Sequence, residues 1–273
     1  MKCFFKGKSM ALGGGILLGS CILLAIMISV LSPYDTTSQN ADIQNSAASF
    51  VHLFGTDKFG RDIFVRVWTG TGISLRVGLF SALFIGIIGV FLGGIAGYAG
   101  GIVDILVMRF GDILDSIPSL LYVILIMLIM GANVGSVLLG ICISGWVDLA
   151  RVVRGEIRRL KAREFVSALK ITGVGPIRLF FHHLLPNAAG PIIVNLTYVV
   201  PKAIFTEAFL SFVGVGISVP EVSLGALIQE ARSQMWLYPM QMIYPIVILC
   251  GLILAMNLIG IGLEEGLIYR EKG

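Results

Sequence analysis

Two ionisable side chains stand where a chain that crosses lipid has little reason to keep them. Lys202 and Glu207 lie within the apolar run 187–212, and a charge at the centre of a bilayer costs roughly 2.5–3.5 kcal/mol on insertion scales. Their offset along the chain separates them by about 140° on a helix, so they are not expected to pair with each other. Each should face a neighbouring helix, a partner subunit or a water-filled path. Pro201, just before them, can loosen the helix and free a carbonyl; the plainer alternative is a helix that ends early and leaves both charges at the interface. Asp104, Met108, Asp112 and Asp115 fall on one helical face, with Arg109 beside Asp112. That is the pattern of an ion-paired helix end.

Other chemistry is missing. His52, His182 and His183 stand at no metal-ligand spacing from Cys3, Cys21, Cys142 and Cys250, and no CxxC pair occurs. The cysteines in apolar segments read as small core residues. No His/Asp/Ser set occupies plausible catalytic positions, and no G-x-x-x-x-G-K-[ST] run is present, so the chain has no P-loop route to ATP.

The most informative stretch is Arg151 to Pro186, RVVRGEIRRLKAREFVSALKITGVGPIRLFFHHLLP. It is basic and helix-forming, and it separates two runs that each look committed to lipid. Glu164–Ile171 is expected to form a short helix with Phe165, Ala168 and Leu169 on one face. Gly173 suits the stop of that helix, where positive φ is common. Pro176 suits the first turn of a second helix, Ile177–Leu185, because its missing N–H costs nothing there; Pro186 is expected to start the next span. Ile177, Leu179, Phe180 and Leu184 next to Arg178, His182 and His183 make the second helix amphipathic, as a helix-in-groove docking element must be. The stretch therefore reads as the place where a separate motor engages a channel-forming subunit. The plainer alternative is a solvated loop that merely obeys the charge rule.

The elements that must carry these residues follow from composition. Of the 273 residues, 56% are hydrophobic and 13% charged, about half the charged fraction of soluble domains. An all-α integral membrane protein is expected. A span needs about 20 mostly apolar residues. Met10–Leu31, Val77–Tyr98, 187–212 and Met240–Gly262 qualify, and Ile117–Val153 is long enough for two, broken at Gly131-Ala132-Asn133-Val134-Gly135. Six helices result. Leu18-Gly19-Ser20-Cys21 faintly resembles a lipoprotein cleavage site, but apolar sequence continues past it, so an uncleaved span is expected. Lys2, Lys6 and Lys8 place the N-terminus inside. Arg151, Arg154, Arg158, Arg159, Lys161 and Arg163 against the single acid Glu156 place the basic stretch inside too. Both termini are then cytoplasmic and Pro33–Arg76 lies outside. Arg61, Arg66 and Arg76, interleaved with Ile63, Val67, Ile73 and Leu75, suit a helix lying in the interface with its cations near headgroups. Gly86, Gly89, Gly93, Gly94 and Gly97 permit close helix–helix approach. No basic run interleaved with aromatics suggests nucleic acid.

Ser167-Ala168-Leu169, Gly173 and His183-Leu184-Leu185-Pro186 resemble the EAA loop of ABC importer permeases. Ala168, Gly173, Leu185 and Pro186 match; Ser167, Leu169 and His183 depart from it. Gly55-Thr56-Asp57-Lys58-Phe59-Gly60-Arg61-Asp62 resembles the GTDxxGRD signature of the oligopeptide/dipeptide/nickel branch. The segments 116–121, 203–212 and 257–260 resemble further blocks of its second, C-type permease, and Gly260–Glu265 departs from the usual tail. The resemblance implies a tail, first helix and external loop over 1–50 and a permease domain over 51–273, with the coupling loop at 151–186. Glu164, Ser167, Ala168, Leu169, Gly173, Pro176, His183, Leu185 and Pro186 would carry the docking, with Lys202 and Glu207 on the path. It implies a bacterial inner-membrane subunit with no cofactor of its own. Its partners would be a second homologous permease, two ABC ATPases that bind ATP and magnesium, and an extracytoplasmic solute-binding protein. Peptides are the expected cargo, nickel or a metal chelate the sibling alternative. An ion-driven secondary transporter is the reading from another class; it should show inverted repeats, and none is evident.

Overall fold

The computed structural model describes residues 2–217 and 221–272, with side chains described over 7–217 and 221–267. The side chains of Lys2, Cys3 and Lys6 lie outside that set. Helices dominate: α1 (Lys2–Leu31), α2 (Ile63–Ala99), α3 (Gly101–Asp115), α4 (Ser119–Met130), α5 (Val134–Lys161), α6 (Glu164–Ile171), α7 (Pro176–Arg178), α8 (Leu185–Val213), α9 (Leu224–Arg232) and α10 (Pro239–Lys272). A π-helical segment, Leu179–Leu184, joins α7 to α8 without a break. Among the described residues, five helices are long and apolar enough to cross a membrane, and α3 with α4 forms a sixth candidate crossing bent by 75°.

The bend is forced locally. Pro118 cannot continue a helix from α3, and α4 has only 12 residues, about 18 Å of rise. Gly131, at φ +87°, ends α4, and Asn133 caps α5 by accepting the Ser136 N–H at 3.0 Å. The expected break at 131–135 is present.

α2 departs from expectation. Its 37 residues rise about 55 Å, well beyond the roughly 30 Å hydrocarbon core. Residues 63–76 continue the span and form no separate interfacial helix. Asp62 caps it, accepting the Val65 N–H at 2.9 Å. The first turns pack into a cluster of Ile63, Val67, Val222, Leu224 and Leu227, and Phe54 stacks on Tyr244 at 4.1 Å beside them. The basic stretch is likewise no loop at its start: α5 runs on to Lys161.

α2 is the central pillar. Its glycine face meets α5 and α8, as expected of small residues in lipid. A Cβ at Gly89 would lie 2.9 Å from the Leu149 side chain, and one at Gly94 would lie 2.6 Å from the Phe180 ring. α1 packs on α10, Gly14 against Ala255 and Leu258. Cys21 and Cys142 are buried core residues, whereas Cys250 is exposed. The bundle thus has one end carrying α6 and α7 and an opposite end carrying the segment 32–62 and α9.

Candidate functional site

α6 occupies the expected residues, and its exit has a physical cause. Gly173 takes φ +81°, where a Cβ is strained. Its N–H donates to the Lys170 carbonyl at 3.1 Å, and the Val174 N–H reaches back to Leu169 at 3.1 Å, the Schellman arrangement that satisfies the last carbonyls of a helix. Gly175 then caps α7 with Pro176 at its first position.

The faces differ from those expected. Val166 is fully buried and Leu169 packs against the core, while Phe165 is 38% exposed. Val166, not Phe165, anchors α6. Glu164, Ser167, Ala168, Gly173 and Pro176 are exposed. On the second segment Leu179 and Leu184 are buried, Phe180 packs edge-on to Tyr98 at 5.8 Å, and Ile177 is 75% exposed. His183 and Leu185 are half-buried and Pro186 is exposed.

Pro186 falls in the first turn of α8, but the chain reaches it from a helix, not from a loop. Its ring has no N–H to return to His182 and crowds that carbonyl. The frame widens just before it, and the Leu185 N–H donates to Phe180. The Asn187 side chain donates to the His183 carbonyl at 2.5 Å. No helix–loop–helix joint therefore separates the segment 176–184 from α8.

Ion pairs fasten α5 to its neighbours near the end that carries α6 and α7. Arg154 makes a two-point pair with Asp104, its Nη2 donating to Oδ2 at 2.7 Å, and Arg158 lies 3.0 Å from the same carboxylate. Arg151 holds Asp112 at 3.0 Å and Asp115 at 2.7 Å. Lys161 Nζ donates to the Tyr98 carbonyl at 2.5 Å. Arg109 reaches Asp112 only at 3.7 Å. The acidic face of α3 is ion-paired, as its spacing implies.

Lys202 and Glu207 diverge as their helical offset requires. Lys202 opens onto a cavity of about 550 Å³ between α4, α5 and α8, lined also by Ser144, Asp148, Asn195, Tyr198 and Thr206. Its Nζ lies 3.3 Å from Asp148. Glu207 is fully buried on the other side of α8, accepting from Ser74 at 3.1 Å and Ser211 at 2.8 Å. Ser223 extends this hydroxyl network by donating to Ser211. Glu207 does not line the cavity. Asp148 escaped the sequence reading, although an acid amid ICISGWVDLA is the same signal that marked Lys202.

At the opposite end each position of the Gly55–Asp62 signature has a task. Gly55 and Gly60 take positive φ, and at Gly60 a Cβ would collide with the Asn40 carbonyl. Asp57 accepts the Phe59 and Arg61 N–H groups at 2.8 and 3.0 Å. It also pairs with Arg61 and with Arg66, each at 2.7 Å. Glu230 of α9 joins both guanidiniums, at 2.5 Å from Arg61 and 2.9 Å from Arg66. Both arginines are buried in protein, which corrects the expectation that they sit near headgroups. Glu230 could not be found from spacing, because it lies far away in sequence.

A multi-pass helical bundle with a charged cavity between its spans has the architecture of a membrane transport subunit. Residues 89–265 match the family described as binding-protein-dependent transport system inner membrane component. The chain is 39% identical over 263 residues to the oligopeptide transport system permease protein OppC of Bacillus subtilis, covering 96% of this chain and 86% of that protein. It is 39% identical over 267 residues to the dipeptide transport system permease protein DppC of the same organism, covering 96% and 82%. To OppC of Escherichia coli K12 it is 36% identical over 261 residues, covering 94% and 85%. The chain belongs to the binding-protein-dependent transport system inner membrane component family, and to its C-type permeases.

Proposed function

We propose that this chain is one of two membrane subunits of an ATP-driven peptide importer, contributing half of the translocation path. The peptide class comes from the relatives, which are oligopeptide and dipeptide permeases by name. The observation that carries the energy-coupling part is the position of α6: an exposed helix strung directly between α5 and the α7–α8 helix. Those are the two helices that bear Asp148 and Lys202 on the cavity. Force applied to α6 by an ATPase passes through the short turn 162–163 into α5 and through 172–175 into the α7–α8 helix, the two walls of the cavity.

In this reading Glu164, Ser167, Ala168 and Gly173 meet the ATPase, and Leu169, Leu185 and Pro186 hold the loop in shape. Both termini and the docking end face the cytoplasm; the segment 32–62 and α9 face the solute-binding protein. The partners are a second permease, two ATPases that bind ATP and magnesium, and that binding protein. The test is to purify the chain with its partners, reconstitute the complex in vesicles and measure uptake of a labelled dipeptide driven by ATP. Uptake of chelated nickel with no peptide uptake would overturn the peptide assignment. ATP-independent uptake by this chain alone would overturn the coupling.

A further inference from the structure

Resting on the peptide-importer reading, we propose that Asp148 and Lys202 form a subsite in the path for the two charged ends of a short peptide. The α-ammonium would settle on Asp148 and the α-carboxylate on Lys202.

The pair lies between α5 and α8 at 3.3 Å, with the Asp148 side chain 59% exposed and the Lys202 side chain 71% exposed. Both stand well inside membrane-length helices, where charges facing hydrocarbon are disfavoured and charges facing a water-filled cavity are tolerated. This chain covers the pair only loosely, and an ion pair on a water-filled path is weak, so an incoming charge there can displace either partner. The exchange leaves no charge stranded. Asp148 also faces Arg151 Nη1 at 3.5 Å, and Arg151 is held by Asp112 and Asp115. When Lys202 swings away on its flexible stem, Asp148 keeps one cation and gains another from the peptide.

The rest of the wall suits a polypeptide. Ser144, Asn195 and Thr206 offer donors and acceptors to main-chain amides, while Val123 and Ile141 leave apolar room for side chains. The volume of about 550 Å³ falls in the usual range for a small ligand. Two extended residues span about 7 Å, a distance that the parted pair can bracket. A cargo with blocked ends leaves the pair closed across the cavity.

The test uses the assembled permease–ATPase complex in nanodiscs without its binding protein, so that only the path selects. Binding of a dipeptide is compared with its N-acetyl and C-amide derivatives by saturation-transfer NMR and titration. Free dipeptide should bind more tightly than either derivative by about three- to fivefold, the upper range for a water-exposed ion pair. Asp148→Asn should abolish the penalty for N-acetylation and keep that for amidation; Lys202→Gln should do the reverse. Asn is isosteric with Asp and Gln keeps a polar end one atom shorter than Lys, and co-purification of the ATPases reports folding. No saturable binding of free dipeptide, or an equal loss for all three cargos in both variants, overturns the subsite. If vesicles still import peptide with the binding protein present, the importer reading survives that result. If they import none, both fall.

Discussion

Arg154 and Asp104 close a two-point ion pair that binds the docking half of α5 to α3, with Nη2 and Oδ2 2.7 Å apart. The Asp104 side chain is only 4% exposed, and Arg158 shares its carboxylate at 3.0 Å. Replacing Arg154 with Met should leave Asp104 with one cation and cost about 1–3 kcal/mol. Replacing Asp104 with Asn should cost less, because the amide still accepts from one guanidinium. Thermal unfolding of the detergent-solubilised complex reads both, and equal melting temperatures for wild type and Arg154→Met would remove this pair as a fastening.

Gly173→Val should separate assembly from coupling. A β-branched residue at φ +81° is strained by roughly 1–2 kcal/mol, enough to change the angle between α6 and α7. Membrane insertion should be unchanged, since no span alters. Stimulation of ATP hydrolysis by the loaded binding protein should fall. Normal stimulation and wild-type uptake would make 164–175 a passive connector.

Arg66→Met should be among the most destabilising single changes. Its side chain is 2% exposed and touches both Asp57 and Glu230. Removing one member of a buried charge cluster costs about 3–5 kcal/mol. The double variant Arg66→Met, Glu230→Gln should recover part of the loss, and a double-mutant cycle on melting temperature measures how much.

Glu207→Leu should lower stability by about 1–3 kcal/mol, because the Ser74 and Ser211 hydroxyls lose a buried acceptor. Glu207→Gln keeps an acceptor in place and should sit between Leu and wild type. Unchanged thermal stability in Glu207→Leu would show that the hydroxyl network contributes nothing to holding α8 on α2.

Topology is tested by single cysteines at Asp42 and Arg158, both accessible to solvent. A membrane-impermeant thiol reagent added to intact cells should label the first and spare the second. Labelling of both from outside would overturn this topology, and labelling of the second alone would invert it.

Local rules reached some of these features and missed others for reasons of distance. The stop at Gly173, the helix start at Pro176 and the break at 131–135 each need only neighbouring residues, and all were legible. The divergence of Lys202 and Glu207 followed from helical geometry alone. The length of α2 was not legible. Arg61 and Arg66 looked like interfacial cations because their partner Glu230 sits on α9, which nothing local connects to them. The expected face of α6, Phe165 with Ala168 and Leu169, is not the buried one, because the buried face is set by how α6 lies against the bundle and centres on Val166. The π segment was hidden as well, because Pro186 announces a helix start in sequence and becomes a reason for a wider turn once the preceding helix continues into it.

That wider turn sets an angle. One extra residue within Leu179–Leu184 shifts the phase of everything beyond it by about 100° compared with an unbroken α-helix. Lys202 points at the cavity and Glu207 at Ser74 only in this phase. Tightening the segment to regular α winding at unchanged length would turn α8 like a misset dial, carrying the lysine away from Asp148 and the glutamate off its serines, whereas excising one residue would close the wider turn and leave both in place. The docking end and the cavity are thus indexed to each other by a single residue of helical slack.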